Sequence, residues 1–154
     1  MTKDQSCIFC KIIAGEVPSH IVWSDDEHVA FLSIFPNTEG VTVVVPKDHH
    51  SSYFADVLEE TATKLLIASR RVAKLLDEKL DDVGRTALVF EGFGVNHLHA
   101  KLFPMHGTKN MAEWKPIHSS IDTYFDQYAG YISSHDSKLA DEAALNKVKE
   151  KIKS

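Results

Sequence analysis

Between Asp56 and Lys79 apolar residues recur every three or four positions (Leu58, Ala62, Leu65, Leu66, Ser69, Val72, Ala73, Leu76), with Lys64, Arg70, Arg71 and Lys74 on the other side. That period predicts an amphipathic helix lying on a sheet, and Asp56 with Glu59 three residues later reads as a capping box. The sheet is written before and after it. Ile21–Ser24 and Val29–Ile34, joined by the turn-rich Asp25-Asp26-Glu27-His28, predict a hairpin. The β-branched run Val41–Val45 predicts a central strand that stops at Pro46-Lys47-Asp48-His49-His50. Asp81-Asp82-Val83-Gly84 ends the long helix, Thr86–Phe90 predicts a fourth strand, and Asn96–Pro104 a fifth. Residues 7–17 predict a short helix ended by Gly15, with Pro18 beyond it. Two more helices are expected toward the C-terminus. Ser120–Ile132 would place Tyr124, Phe125, Tyr128 and Ile132 on one side, and Ser137–Lys153 carries Leu139, Ala143, Leu145, Val148 and Ile152 among charges. The pattern divides into a domain over 1–110 and a helical extension over 111–154 that packs on the core or on a partner subunit.

The fifth strand carries the candidate chemistry. In an extended strand alternate side chains share a face, so His97, His99 and Lys101 would line one side while Leu98, Ala100 and Leu102 pack on the other. Two imidazoles and an ammonium on one face can bind an anion and attack it. Gly92 and Gly94 precede them, where the lack of a Cβ permits close ligand approach.

Composition narrows the partners. The 154 residues, 44% apolar and 25% charged, fit one soluble globular domain, and no apolar run nears the ~18 residues of a membrane span. The first six residues lack an apolar signal segment, so a cytoplasmic protein without a membrane partner is expected. A net charge of −5 argues against a nucleic-acid polymer, although a local group of donors can still hold a small nucleotide.

The two cysteines, Cys7 and Cys10, stand three apart. Such spacing suits a zinc site completed by two further ligands, a redox dithiol, or two thiols of the core; no strand precedes them, as a thioredoxin-like dithiol would want. His49 and His50 follow the end of a strand, a favoured place for a site, although histidines so placed are more often exposed loop residues.

Taken together these segments resemble the histidine triad family of nucleotide hydrolases and transferases. The opening Cys7-Ile-Phe-Cys-Lys-Ile-Ile-Ala-Gly-Glu-Val-Pro18, the segment Val44-Val45-Pro46-Lys47-Asp48-His49 and the run His97-x-His99-x-Lys101 stand in that family's order. The resemblance covers residues 7–104. It implies an α+β fold with a five-stranded antiparallel sheet and one long helix, commonly paired as a homodimer. It implies a structural zinc held by Cys7, Cys10, His49 and His97. It further implies that His99 attacks the α-phosphorus of a nucleotide, a purine nucleoside monophosphate derivative or a dinucleoside polyphosphate, with a backbone carbonyl at position 101 fixing its tautomer.

Three departures from the family pattern stand out. Lys101 replaces the third histidine and would act as a fixed cation or proton donor. Ser33, in the nucleoside-holding segment Phe31-Leu32-Ser33-Ile34, replaces an aspartate that grips the ribose. The loop before the histidines reads Phe93-Gly94-Val95-Asn96, leaving phosphate to backbone N–H groups near Gly94, to Asn96, His99 and Lys101. The leading reading is a phosphoramidase or nucleotidyl hydrolase. The second is a zinc-stabilised nucleotide-binding protein that has lost much of its catalysis, and a dithiol redox protein is a distant third.

Overall fold

The computed structural model describes residues 2–110, 124–129 and 138–153. Its elements run α1 (Ile8–Ile13), β1 (Ile21–Ser24), β2 (His28–Leu32), β3 (Thr42–Pro46), α2 (Glu59–Lys79), β4 (Thr86–Val89), β5 (Ala100–Pro104) and α3 (Glu142–Lys153). The five strands form one antiparallel sheet in the order β1-β2-β3-β5-β4. The α+β architecture with a five-stranded antiparallel sheet, which the family resemblance implies, is the one observed.

The β1–β2 hairpin closes because the Asp25 carboxylate accepts the amides of Glu27 (3.0 Å) and His28 (2.7 Å), an Asx turn. One face of the sheet packs under α2. Val22, Ala30, Leu32, Val44, Ala100 and Leu102 meet Leu65, Ala68, Val72 and Leu76 of the helix in one buried cluster. The other face is narrower. There Val29, Phe31, Val43 and Val45 pack against Phe9, Ile12 and Ile13 of α1. Strand register sets a row on this second face, since Phe31 lies opposite Val43 and Val43 opposite Lys101.

Several boundaries differ from the sequence pattern. The capping box does not form: α2 starts at Glu59 behind Leu58 with no side-chain cap, because the Asp56 amide is already spent in a turn on the Tyr53 carbonyl (3.1 Å). Glu59 and Glu60 in the first turn face the positive end of the helix dipole instead. Leu58 and Leu66, expected on the packed side, are exposed, and Ala68 takes the inward position. Strand β2 ends at Leu32 rather than Ile34, where Ser33 Oγ accepts the Phe35 amide (3.2 Å) and turns the chain out of the sheet. His97 and His99 precede the paired part of the fifth strand, which begins at Ala100. Of the expected helix 120–132, residues 120–123 and 130–132 lie outside the described residues, and 124–129 form bends rather than helix. The last helix starts at Glu142, five residues later than expected, with the Asp141 carboxylate taking the Ala144 amide (2.9 Å) as its N-cap. Its Leu145 and Ile152 join the α2 cluster, so this part of the extension packs on the core of its own chain.

His106 ties two loops together. Its Nδ1 donates to the Asp82 carboxylate (2.8 Å) and its Nε2 to the Glu39 carbonyl (3.0 Å). Both partners accept only, so the ring bonds both when it is protonated, and the Glu39 carbonyl first and Asp82 second hold its pKa above the usual histidine range. A group whose folded pKa is raised contributes stability below its unfolded value and loses it as pH rises through the folded one. His106→Gln should therefore lower Tm most near about pH 5.5 and least near about pH 8.5. A Tm deficit independent of pH would show that the ring acts uncharged.

Candidate active site and metal cluster

Cys7 and Cys10 lie at the start of α1, whose end is a Schellman motif: the Gly15 amide bonds the Ile12 carbonyl (3.0 Å) and Glu16 that of Lys11 (2.9 Å), with Gly15 at φ +76°. That stop fixes the helix against the sheet and brings both thiols to His49 and His97. Cys7 Sγ stands 3.5 Å from His97 Nδ1, Cys10 Sγ 3.5 Å from His49 Nδ1 and 3.7 Å from His97 Nδ1. All four ligand atoms lie within 4.8 Å of one another. A tetrahedral ion with Zn–S ~2.3 Å and Zn–N ~2.05 Å has an S–N edge of ~3.6 Å, so the four residues fit zinc with little movement. Their surroundings fit as well. His97 donates from Nε2 to the Pro46 carbonyl (2.9 Å), which leaves Nδ1 bare toward the sulfurs. Burial lowers the His97 pKa to about 4 and raises that of the Cys10 thiol, so the imidazole is neutral and a thiolate there needs a cation. Both thiols are free.

Phe9 stands between this cluster and the second one. Its ring packs edge-on against His97 (5.9 Å), His99 (5.7 Å) and Phe31 (5.3 Å). Beyond it opens a cavity of about 320 Å³ lined by His99, Lys101, Phe31, Ser33, Ile34 and Gly94, among others, within the size range of small-ligand pockets. The ring of His99 is only 1% exposed, yet it forms part of this wall. Its Nδ1 donates to the His97 carbonyl at 2.7 Å. The tautomer is thus fixed by position 97, not by the carbonyl of position 101 as expected, because the chain bends at Gly94–His97 and folds that carbonyl back under the ring. Nε2 is then the unprotonated nitrogen, and it is buried without a hydrogen-bond partner among the described residues. Burial above all lowers the His99 pKa, Lys101 adds to this, and Glu91 opposes it.

The expected single face of three groups is divided. The His97 side chain turns to the thiols and its main-chain oxygen holds the His99 ring, while His99 and Lys101 share the cavity wall. Lys101 is not a lone cation, since its Nζ lies 2.6 Å from Glu91 Oε1 in a largely buried pair. Ser33 Oγ accepts the Phe35 amide and keeps its O–H to donate, and Asn96 accepts the Ser52 amide (3.1 Å) on the surface. Gly92 holds φ +71° where a Cβ would crowd the Ser52 carbonyl (3.1 Å), and Gly94 holds φ +89°. Sequence reasoning missed Glu91, Phe9 as a contact of both rings, and the stacking on Tyr128 (5.7 Å, 19°) of Phe93, a loop departure that joins the cavity wall. Tyr124 is exposed, and Trp114 lies outside the described residues. A larger cavity of about 670 Å³ lies between α3 and residues 36–41, and it contains no histidine or cysteine.

The HIT domain model matches residues 14–108. Protein hit of Bacillus subtilis is 32% identical over 140 residues, covering 87% of this chain and 94% of its own. Adenosine 5'-monophosphoramidase HNT1 of Saccharomyces cerevisiae is 35% identical over 115 residues, covering 71% of this chain and 68% of its own. Among solved structures, a Hit-like protein involved in cell-cycle regulation from Bartonella henselae superimposes with a TM-score of 0.67 at 25% identity, over 99% of this chain and 98% of the other.

Proposed function

The chain belongs to the HIT domain family, and from that premise we propose that it hydrolyses nucleoside monophosphate derivatives, phosphoramidates or dinucleoside polyphosphates, through a nucleotidyl intermediate on His99. The observation that carries this reading is the orphaned, unprotonated Nε2 of a neutral imidazole in the wall of a nucleotide-sized cavity. Buried polar atoms without partners are rare and ask for a reason. A nucleophile waiting for phosphorus is such a reason. In this scheme Nε2 forms a bond to the α-phosphorus while the bond to the amine or phosphate leaving group breaks, and the departing group takes up a proton. Water then attacks phosphorus, the P–N bond to His99 breaks, and the nucleoside monophosphate leaves. Lys101 stands by as the cation of the wall, Phe31 and Ile34 offer apolar surface to the base, and Ser33 and the backbone at Gly94 offer polar contacts. The yeast relative's name, a monophosphoramidase, favours the same class.

The Cys7, Cys10, His49 and His97 cluster would hold a structural zinc, whose contribution when bound is to cross-link α1 to the strands beneath it. His49 and His97 lie at the ends of those strands, which explains why the metal would bear on the cavity without entering it.

A second reading, a zinc-stabilised nucleotide-binding protein with weak or lost catalysis, draws on the paired Lys101 and on a serine rather than a carboxylate at position 33. Nucleotide binding with no turnover of adenosine phosphoramidate or diadenosine polyphosphates would select it.

We also read the chain as a homodimer of the cytoplasm. Among the described residues β4 is an edge strand with no neighbouring strand on its outer side, and Leu88 on it and Leu66 and Ile67 on the adjoining α2 are exposed. Light scattering on a gel-filtered sample should give twice the 17.2 kDa chain mass, and Leu66→Glu should lower it to one; a monomeric mass for the unaltered protein would end this reading. No described helix is long and apolar enough to cross a membrane.

A further inference from the structure

We propose that Glu91 sets the anion preference of the His99 cavity by neutralising Lys101, an inference that rests on this cavity being the nucleotide site. Lys101 reaches the wall from β5, and its ammonium is bonded at 2.6 Å by a carboxylate whose side chain is only 9% exposed. So short and so shielded a pair behaves toward a ligand as a dipole rather than as a full positive charge. Glu91 cannot easily swing away. Its other oxygen accepts the Tyr128 hydroxyl (3.1 Å), and the Tyr128 ring is stacked on Phe93 at the cavity wall. The next residue, Gly92, takes a left-handed conformation at φ +71° against the Ser52 main chain, a turn that a side-chain-bearing residue would adopt only under strain. The carboxylate is thus clamped between an ammonium that lines the cavity and an aromatic pair that borders it.

A wall with its cation neutralised discriminates by charge. It accepts a phosphorus centre of low charge with a neutral leaving group, as in a nucleoside phosphoramidate, and gives little extra hold on the additional charges of a polyphosphate. Glu91 is a positioning and specificity residue, acting through Lys101. Removing its charge while keeping its shape takes one carboxylate away from the ammonium and should favour the more anionic ligand.

The test is a charge cycle on the full chain, with AMP and adenosine as calorimetric probes for the unaltered protein, Glu91→Gln, Lys101→Met and the double variant. Glu91→Gln should bind AMP roughly tenfold tighter, as one unit charge acting over several ångström at a partly buried site would do, with adenosine affinity unchanged. Lys101→Met should move the AMP-to-adenosine ratio the other way, and the double variant should return near the starting value, which a merely structural role would not produce. Should Glu91→Gln fail to fold, the step from Lys101→Met to the double variant measures the same carboxylate. An unchanged ratio on both arms overturns the proposal. Turnover adds a second readout: Glu91→Gln should raise kcat/KM for diadenosine tetraphosphate relative to adenosine phosphoramidate. His99-dependent turnover with no shift in that ratio or in binding sinks the role of Glu91 and leaves the hydrolase reading intact. A shifted binding ratio without turnover in any variant does the reverse.

Discussion

His99→Ala should abolish hydrolysis of adenosine phosphoramidate, lowering kcat by about 10⁴-fold or more, while AMP still binds and Tm changes little. Loss of a covalent nucleophile removes the whole two-step route, so an effect of that size is in keeping with enzymes whose attacking group is deleted. Binding should survive because the apolar wall of Phe31, Val43 and Ile34 and the polar group at Lys101 are untouched. Folding should survive because the ring contributes one hydrogen bond, to the His97 carbonyl, and an edge contact to Phe9; its other nitrogen is already a buried polar atom with no partner, which costs stability rather than adding it. The test is single-turnover kinetics with trapping of a phosphorus-labelled protein. Turnover that persists in the variant removes His99 from the mechanism, and label found on another residue relocates it.

The second large effect concerns the thiol and imidazole quartet. The purified protein should carry about one equivalent of zinc, and Cys10→Ser should lose it and lower Tm by roughly 10 °C or more. The size follows from ordinary scaling, since several kcal/mol of metal-linked folding energy shift a domain of this length by a few degrees each. Three contacts argue for the position. Cys10 Sγ stands near both His49 and His97, and it also faces the Asp4 amide (3.5 Å), so it joins α1, two strand ends and the N-terminal segment. Elemental analysis and thermal unfolding with and without a chelator measure it. A metal-free protein with an unshifted Tm would make these four residues an ordinary buried cluster.

Much of the scaffold was legible because periodicity is a direct imprint of burial. Apolar and β-branched runs bounded by turns gave β1, β3 and β4 to within a residue and carried β2 two residues past its end, and the 3.6 period located α2. The errors fell where local and distant partners compete for the same backbone. Asp56 has the right chemistry for a cap, yet its amide had gone to Tyr53; Ser33 looked like part of a strand, yet its hydroxyl turns the chain. At the candidate site, the cysteines, His49, His97, His99 and Lys101 could be named from motif order, and the structure brings the first four together and sets the last two on one wall. Glu91 was invisible for a physical reason. A single acidic residue in a glycine-rich loop reads as solvated until the fold shows that its carboxylate reaches across to β5. The same holds for Tyr128, whose expected helical stripe gave no hint of a stack on a loop phenylalanine.

His97 has its ring facing one way and its carbonyl the other. An alanine scan is blind to half of such a residue: substitution deletes the imidazole beside the sulfurs but leaves the oxygen under His99 chemically unchanged. Any effect of His97→Ala on reaction rate would therefore report how far the main chain drifts once the ring is gone, and a variant that keeps a sulfur-side ligand, such as His97→Cys, would separate displacement from chemistry.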